Sequence, residues 1–211
     1  MIQRRVLPIL ATALAALAAG CVTSSQPIGD EPAPEIAASL DGTWQLGIPS
    51  ARDDGSFTLD PESTSTVVIG HQGHDRVWLT WVDPGATPPA VEIGEGVVRR
   101  HDDQPFLSVR GIEDGKVGDR YLFLRLELID DDTVALDGPD SDQFTRAIDS
   151  GRLTGTYDSV ETSPVANVRI TAESGAVEAF LDSPEGAGAM SPTEHVLVRM
   201  AAGPVPPAAI R

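Results

Sequence analysis

The sequence predicts a mainly β domain, either an antiparallel barrel or a strongly twisted sandwich, with two short helices packed against it. Apolar and polar side chains alternate with a period of two in many short runs, and clusters of Asp, Gly and Pro separate those runs. The 20 Gly and 17 Pro residues are more than a helical bundle tolerates inside its elements. A length of 211 residues favours a single domain, which we place at residues 40–200.

The first 20 residues have the layout of a secretory signal peptide. Arg4 and Arg5 precede an uncharged run, rich in Ala and Leu, over residues 6–19. As a helix, residues 6–20 reach only about 23 Å, less than a hydrocarbon core of about 30 Å. We therefore predict a cleaved signal at residues 1–20. The arginine pair leaves both the general secretory and the twin-arginine export routes open.

Cys21, the only cysteine, directly follows this run. Residues 17–21 resemble the lipobox of bacterial lipoproteins, in which a small residue precedes a cysteine that receives a diacylglyceryl thioether and becomes the new N-terminus. This chain departs at one position, because Ala18 stands where the lipobox favours Leu. The resemblance implies lipidation of Cys21, with the two or more acyl chains that stable anchoring needs. The alternative is a cysteine buried as a small apolar side chain.

The lipobox resemblance also implies a location. Val22, rather than Asp, follows the cysteine, which is similar to lipoproteins of Gram-negative bacteria that are sorted to the outer membrane. The resemblance implies an exported, lipid-anchored protein on the periplasmic face of the outer membrane, with the inner membrane as the alternative. Residues 21–39 lack apolar periodicity and predict a lipidated flexible tether, and residues 201–211 predict a disordered tail.

The strand predictions depend on alternation. Residues 121–128 place four leucines on one face and polar or aromatic residues on the other, the strongest strand pattern in the chain. Similar shorter runs lie at 42–46, 66–69, 76–82, 91–98, 105–109, 133–136, 165–171 and 195–200.

Two segments show helical spacing instead. Asp140 can cap the first, with Gln143 three residues on and Gly151 as a left-handed stop. Ser174 can cap a shorter second helix, which Pro184 follows. Each apolar stripe is narrow, so we expect both helices to pack against a sheet or the mouth of a barrel.

Gly42, Thr43 and Trp44 open the first predicted strand, and Arg199 lies near the end of the last. This arrangement is similar to the calycins, the superfamily of lipocalins and related small barrels. The resemblance implies that the Trp44 indole closes one end of a barrel with Arg199 stacked on it, where a cation–π contact contributes about 0.5 to 2 kcal/mol. It also implies a cavity for a small apolar ligand. The alternative is a core Trp44 and a solvated Arg199.

Trp78, Trp81, Tyr121 and Phe123 are the candidate cavity residues. Large aromatics also fill cores, and the interior of a small barrel can be occupied by its own side chains. The sequence leaves both interpretations open.

The histidines are the candidates for metal binding. His71 and His74 stand beside Asp75, and His101 precedes two further aspartates. Residues three apart on a strand point to opposite faces, so His71 and His74 can share a metal only if Gly73 folds a turn. No zinc-type spacing accompanies them, and a solvated hairpin loop is the alternative. We predict neither a metal nor a cofactor.

Nucleophile, phosphate-loop and dinucleotide motifs are absent from the sequence, so it predicts no enzyme. The net charge of -17, with Lys116 as the sole lysine, argues against nucleic acid as a partner. Our leading expectation is a lipid-anchored, non-catalytic envelope protein that binds a small apolar molecule. An envelope interaction or assembly protein with a filled core is the alternative. A metal-dependent enzyme using the three histidines comes third.

Overall fold

A computed structural model describes residues 22–51, 57–59, 64–83, 90–113, 115–158 and 166–201. The strands are β1 (Val22–Ser24), β2 (Glu31–Pro32), β3 (Gly42–Gly47), β4 (Pro49–Ala51), β5 (Phe57–Leu59), β6 (Ser65–His71), β7 (Arg76–Asp83), β8 (Ala90–His101), β9 (Gln104–Glu113), β10 (Lys116–Val117), β11 (Tyr121–Asp130), β12 (Thr133–Pro139), β13 (Gly155–Asp158), β14 (Asn167–Ile170) and β15 (Met190–Arg199). The helices are α1 (Pro34–Ser39), α2 (Ser141–Asp149) and α3 (Ser174–Leu181). The predicted signal peptide, Cys21 and residues 202–211 lie outside the described residues.

Eight antiparallel strands close into a barrel. In chain order they are β3, β6, β7, β8, β9, β11, β12 and β15; each pairs with the next, and β15 pairs with β3. This confirms the predicted mainly β fold and, of the two predicted architectures, the closed antiparallel barrel rather than the sandwich. Closure leaves no free edge on the barrel strands, which is the usual solution for a sheet of this kind.

Alternation along β11 separates two hydrophobic cores. Leu124 and Leu126 point into the barrel and join the interior core, whereas Phe123, which directly precedes Leu124, points outward into a second core. The interior core consists mainly of aliphatic side chains from the barrel strands and from α1: Ala33, Ile36, Ala37, Leu40, Trp44, Leu46, Val67, Ile69, Val77, Val98, Leu107, Leu124, Leu126, Val134, Leu136 and Leu197.

The second core covers the outer face of β11. β1 pairs with β11 and β14, and β13 continues the sheet, while α2 and α3 contribute side chains to the same core. Phe144 of α2 packs edge-on against Phe123 and Phe180, with ring centroids 5.8 and 5.4 Å apart. The long connection between β12 and β15 thus forms a layer beside the barrel.

Residues 22–39 are not a flexible tether. Val22 and Ile28 are fully buried in the second core, and Ile36 and Ala37 are buried in the interior core. The Ile28 N–H donates to Ser108 Oγ at 3.0 Å, and the chain is further fixed by the β1 and β2 pairings. The prediction failed because these apolar residues are isolated in the sequence, yet each fills a specific space in the fold.

The predicted helix starts differ in outcome. The Asp140 carboxylate accepts hydrogen bonds from the backbone N–H groups of Asp142 and Gln143 at 2.9 and 3.0 Å, as a cap does. Ser174 does not cap α3, because Glu173 occupies the cap position; the Ser174 hydroxyl instead donates to the Pro27 carbonyl at 2.9 Å. α1 is an additional helix, within the segment predicted to be a tether. None of the helices within the described ranges has the length and apolar character of a membrane span.

Candidate functional site

The closed end of the barrel lies where β3 begins and β15 ends. The Arg199 guanidinium lies 4.1 Å from the centroid of the Trp44 ring. It donates to the carbonyl of Asp41 at 2.6 Å and to the carbonyl of Ser39, while Trp44 Nε1 donates to the Leu40 carbonyl at 2.7 Å. Trp44 is only 1% exposed, so its ring is packed into this end of the barrel beneath the arginine.

Gly42 makes this arrangement sterically accessible. Its φ of +143° lies in the region that side chains rarely adopt, and a Cβ added there would lie 2.6 Å from Arg199 Nη1. Only glycine lets the guanidinium approach the backbone so closely.

The other half of the barrel contains an apolar cavity of about 380 Å³. This volume is within the usual range of small-molecule pockets, near its lower limit. Its lining is dominated by inward side chains of the barrel strands, including Leu46, Val67, Ile69, Leu79, Trp81, Leu107, Val109, Leu122, Leu124, Leu136 and Leu197.

Inward glycines on β8 and β9 differ in the space around them. Gly94, Gly96 and Val98 lie on the same inward face of β8. Val98, towards the closed end, is fully buried, whereas the two positions nearer the cavity carry glycine. At Gly96 a Cβ would meet Val77 at 2.8 Å, so that position is already packed. At Gly111 of β9, which lines the cavity, a Cβ would have no atom within 4 Å. Because Gly111 is itself exposed, this open space lies at the mouth of the cavity.

Two polar groups interrupt the apolar lining. Trp81 and Glu92 are opposite each other across β7 and β8, and both line the cavity. Trp81 Nε1 is buried and has no hydrogen-bond partner among the described residues. Burial, and secondarily the nearby carboxylate of Asp83, raise the pKa of Glu92 above its ordinary value. The cavity wall thus carries one carboxyl group with a reduced tendency to ionise, and the Trp81 N–H is buried within that wall rather than exposed to the cavity.

A second depression, of about 610 Å³, lies beside α1, where β9 and β11 diverge. Its cationic side chains already have partners in the chain: Arg125 donates to Asp137 at 2.8 Å, and Arg100 pairs with Glu35. The groove is polar and both of its arginines are paired, so the barrel cavity is the better candidate for an apolar ligand.

Only one of the four candidate cavity aromatics lines the cavity. Alternation along β7 places Trp78 on the outer face, between the inward residues Val77 and Leu79. Tyr121 also lies outside, with the Arg110 guanidinium 5.0 Å from its ring centroid. Phe123 belongs to the second core, and Trp81 alone reaches the cavity.

The histidines do not converge. Gly73, with a φ of +91°, does form a turn, but His71 Nε2 there interacts with the His74 carbonyl at 3.1 Å, and His74 Nδ1 lies 3.2 Å from Asp75. None of the potential metal-binding groups found among the described residues contains His71 or His74.

His101 belongs to a different cluster. Its Nε2 lies 2.9 Å from Asp182, and its Nδ1 lies 3.9 Å from Glu178. Asp30, His101 and Glu178 each offer one oxygen or nitrogen atom, and these atoms lie within 4.8 Å of one another, close enough to share a metal ion. Sequence spacing could not reveal this group, because its members are more than 70 residues apart and meet only when α3 packs against β8.

Comparisons of this chain with protein-family models, with characterised proteins and with solved structures give no match, so its function has to be argued from the barrel and its cavity.

Proposed function

We propose that this protein is a lipid-anchored envelope protein that binds a small apolar molecule in its barrel. The cavity of about 380 Å³, lined by aliphatic side chains and Trp81, is the observation that carries the proposal. Apolar cavities of this kind stay dry and take up apolar molecules, because water in them would find few polar partners.

The contrast between the two halves of the barrel supports a binding role over a filled core. The closed half is packed around Trp44, Leu126 and Val134, all about 1% exposed. The other half leaves apolar surface without packing partners, an arrangement that costs stability unless a ligand fills it. An interaction protein with a filled core would have no need of this space.

The size of the cavity limits the ligand. If each non-hydrogen atom takes roughly the 30 Å³ that a water molecule occupies in the liquid, the cavity holds about a dozen such atoms. Naphthalene, with ten carbon atoms and no polar group, is therefore a suitable test molecule. We expect isothermal titration calorimetry to show one naphthalene site per protein chain.

Gly111→Leu is the variant that tests where naphthalene binds. A leucine side chain at this position extends into open space, so it should fill part of the cavity without a clash. It removes space for about four carbon atoms, which at roughly 0.8 kcal/mol per methylene corresponds to about 200-fold weaker binding.

Gly70→Leu is the matched control. Gly70 is also a strand glycine, and an added Cβ there has no atom within 4 Å. Alternation along β6 places Gly70 on the outer face of the barrel, because Val67 and Ile69 point inward. This variant should bind naphthalene like the wild type. Equal binding by wild type and Gly111→Leu, or no binding by any of the three, would contradict the proposed cavity function.

The anchoring part of the proposal rests on Cys21. Val22 is fully buried in β1 and directly follows the cysteine, so acyl chains on Cys21 would attach next to the folded domain. The strongly acidic domain is repelled by anionic headgroups, which leaves the lipid as the anchor. Cys21→Ser should move the protein from the membrane fraction to the soluble fraction; retention in the membrane would refute lipid anchoring.

A further inference from the structure

Three side chains with metal-ligand atoms meet where α3 approaches the end of β8. Asp30 lies between β1 and β2, His101 ends β8, and Glu178 lies within α3. One oxygen or nitrogen atom from each residue lies within 4.8 Å of the other two. None of the three residues lines the barrel cavity, so this cluster is independent of the proposed ligand site.

Glu178 presents one carboxylate oxygen to the cluster from a fixed position. The residue is only 7% exposed. Its Oε1 atom accepts a hydrogen bond from the Gly29 backbone N–H at 3.0 Å and lies 2.6 Å from Ser174 Oγ. Its Oε2 atom receives no hydrogen bond from the described residues, and it is not one of the fully buried polar atoms. This oxygen is therefore held in place and remains open to a cation.

His101 has a carboxylate on each side of its ring. Its Nε2 lies 2.9 Å from Asp182 Oδ1, and its Nδ1 lies 3.9 Å from Glu178 Oε2. In the neutral tautomer with hydrogen on Nε2, the ring donates to Asp182 and keeps the Nδ1 lone pair for a ligand on the Glu178 side. Histidines that bind metals usually have this support, in which the second ring nitrogen donates to a carboxylate that fixes the ring.

The carboxylates of this cluster have no basic side chain to balance them. No Arg or Lys within the described part of the chain forms an ion pair with Asp30, Glu178 or Asp182. The two arginines that precede the histidine in β8 pair with other carboxylates. α3 also ends here without a basic residue in its last turn, and the C-terminal end of a helix carries partial negative charge. The local field therefore favours a bound cation.

We propose that a carboxylate oxygen of Asp30, His101 Nδ1 and Glu178 Oε2 bind one divalent transition-metal ion, for which Zn²⁺ is the probe. The 3.9 Å between Nδ1 and Oε2 is less than twice a zinc–ligand distance of about 2.1 Å, so both atoms reach one ion. The imidazole ligand favours Zn²⁺ over Mg²⁺ and Ca²⁺, which take oxygen ligands. Three protein ligands leave a fourth position for water, as in open zinc sites.

Isothermal titration calorimetry with Zn²⁺ tests this site, on protein treated with EDTA and then dialysed free of it. We expect one Zn²⁺ per chain, and Mg²⁺ binding at least about 100-fold weaker. Asp30→Asn is the decisive variant, because Asp30 is exposed and its side chain forms no hydrogen bond or ion pair with the described residues. It should weaken Zn²⁺ binding at least about tenfold, since even the loss of a supporting carboxylate commonly costs that much. Asp103→Asn, an exposed acid two residues after His101, is the matched control and should stay within about threefold.

The histidine variants test the nitrogen ligand. His101→Gln should weaken Zn²⁺ binding at least about 100-fold, whereas Asp182→Asn keeps the three ligands and should weaken it about tenfold. His74→Gln, at an exposed histidine outside the cluster, should leave the affinity within about twofold. Nitrogen-15 NMR of the imidazole should show that Zn²⁺ shifts the Nδ1 resonance of His101 while Nε2 stays protonated.

The outcomes are distinct. If Asp30→Asn or His101→Gln binds Zn²⁺ like the wild type, or if NMR shows the metal on Nε2, the assignment is wrong. Absence of Zn²⁺ binding below about 1 mM also overturns it, and a protonated His101 then balances the carboxylates. Naphthalene should bind equally with and without Zn²⁺, so the cavity proposal stands or fails on its own titration.

Discussion

Replacement of Gly42 by Ala should disturb the closed end of the barrel through Arg199. The new methyl group would lie 2.6 Å from Arg199 Nη1, and the backbone would keep a φ of +143°. The guanidinium must therefore move away from the Trp44 ring and from the carbonyl oxygens that it binds. Loss of stability should come from both the backbone strain and the displaced arginine.

The magnitudes can be worked from these contacts. A non-glycine residue in this backbone region costs about 1 kcal/mol or more. Arg199 contributes one cation–π contact and hydrogen bonds to the carbonyls of Ser39, Asp41 and Asp131. Since its side chain is 26% exposed, we count about 0.5 kcal/mol for the cation–π contact and about 1 kcal/mol or less for each hydrogen bond, about 3 kcal/mol together. We expect about 4 kcal/mol for Gly42→Ala, about 3 kcal/mol for Arg199→Ala, and again only about 4 kcal/mol for the double variant, because the arginine contacts are lost once.

Urea unfolding followed by circular dichroism measures these free energies. Gly73→Ala is the control for backbone strain alone, since Gly73 has a φ of +91° and a Cβ there meets nothing within 4 Å; it should cost about 1 kcal/mol. If the effects of Gly42→Ala and Arg199→Ala simply add, the two residues do not act through one contact and the account of the closed end is wrong.

Three further predictions concern other parts of the molecule. The pKa of Glu92 is raised above its ordinary 4.5, so the stability that its neutral form provides is present at low pH and is lost as the pH rises through the higher folded value. Glu92→Gln should therefore raise the thermal midpoint of unfolding at pH 7 and leave it unchanged at pH 4. The same shift of the midpoint at both pH values would contradict a raised pKa of Glu92. Ile28→Ala should lower the free energy of unfolding by about 2 to 5 kcal/mol because Ile28 is fully buried. An unchanged free energy in urea unfolding would instead support the flexible tether predicted for residues 21–39. Phe144→Ala should cost about 3 to 5 kcal/mol in the second core yet leave naphthalene affinity within twofold, so a large change in calorimetry would show that the two cores are coupled.

The barrel was predictable because all of its strands carry a local pattern. Each of the eight barrel strands overlaps a predicted run, and the run at residues 121–128 lies within β11 as observed. Short strands such as β1, β2 and β13 were not predicted, since two to four residues are too few to display a period. Their pairing depends on the neighbouring strand rather than on their own sequence.

The candidate site was predictable only in part. The role of Trp44 and Arg199 at the closed end followed from two short motifs, and the geometry agrees with it. Trp81 was one of four aromatics that the sequence could not distinguish, because the barrel interior and the second core both accept large apolar side chains. Glu92 was missed, although an acid at an inward strand position is a signal once the inward face is known.

The sequence by itself determined the alternating strands, the capped helix α2 and the acidic composition, since each is a property of neighbouring residues or of the whole chain. Only the tertiary structure decided which face of each strand points into the barrel, and that residues 22–39 pack instead of extending freely. It also decided that an apolar cavity lined by residues such as Trp81 and Gly111 remains inside the barrel. These features depend on contacts between residues far apart in the chain, and a void exists only where all surrounding side chains together fail to fill the space.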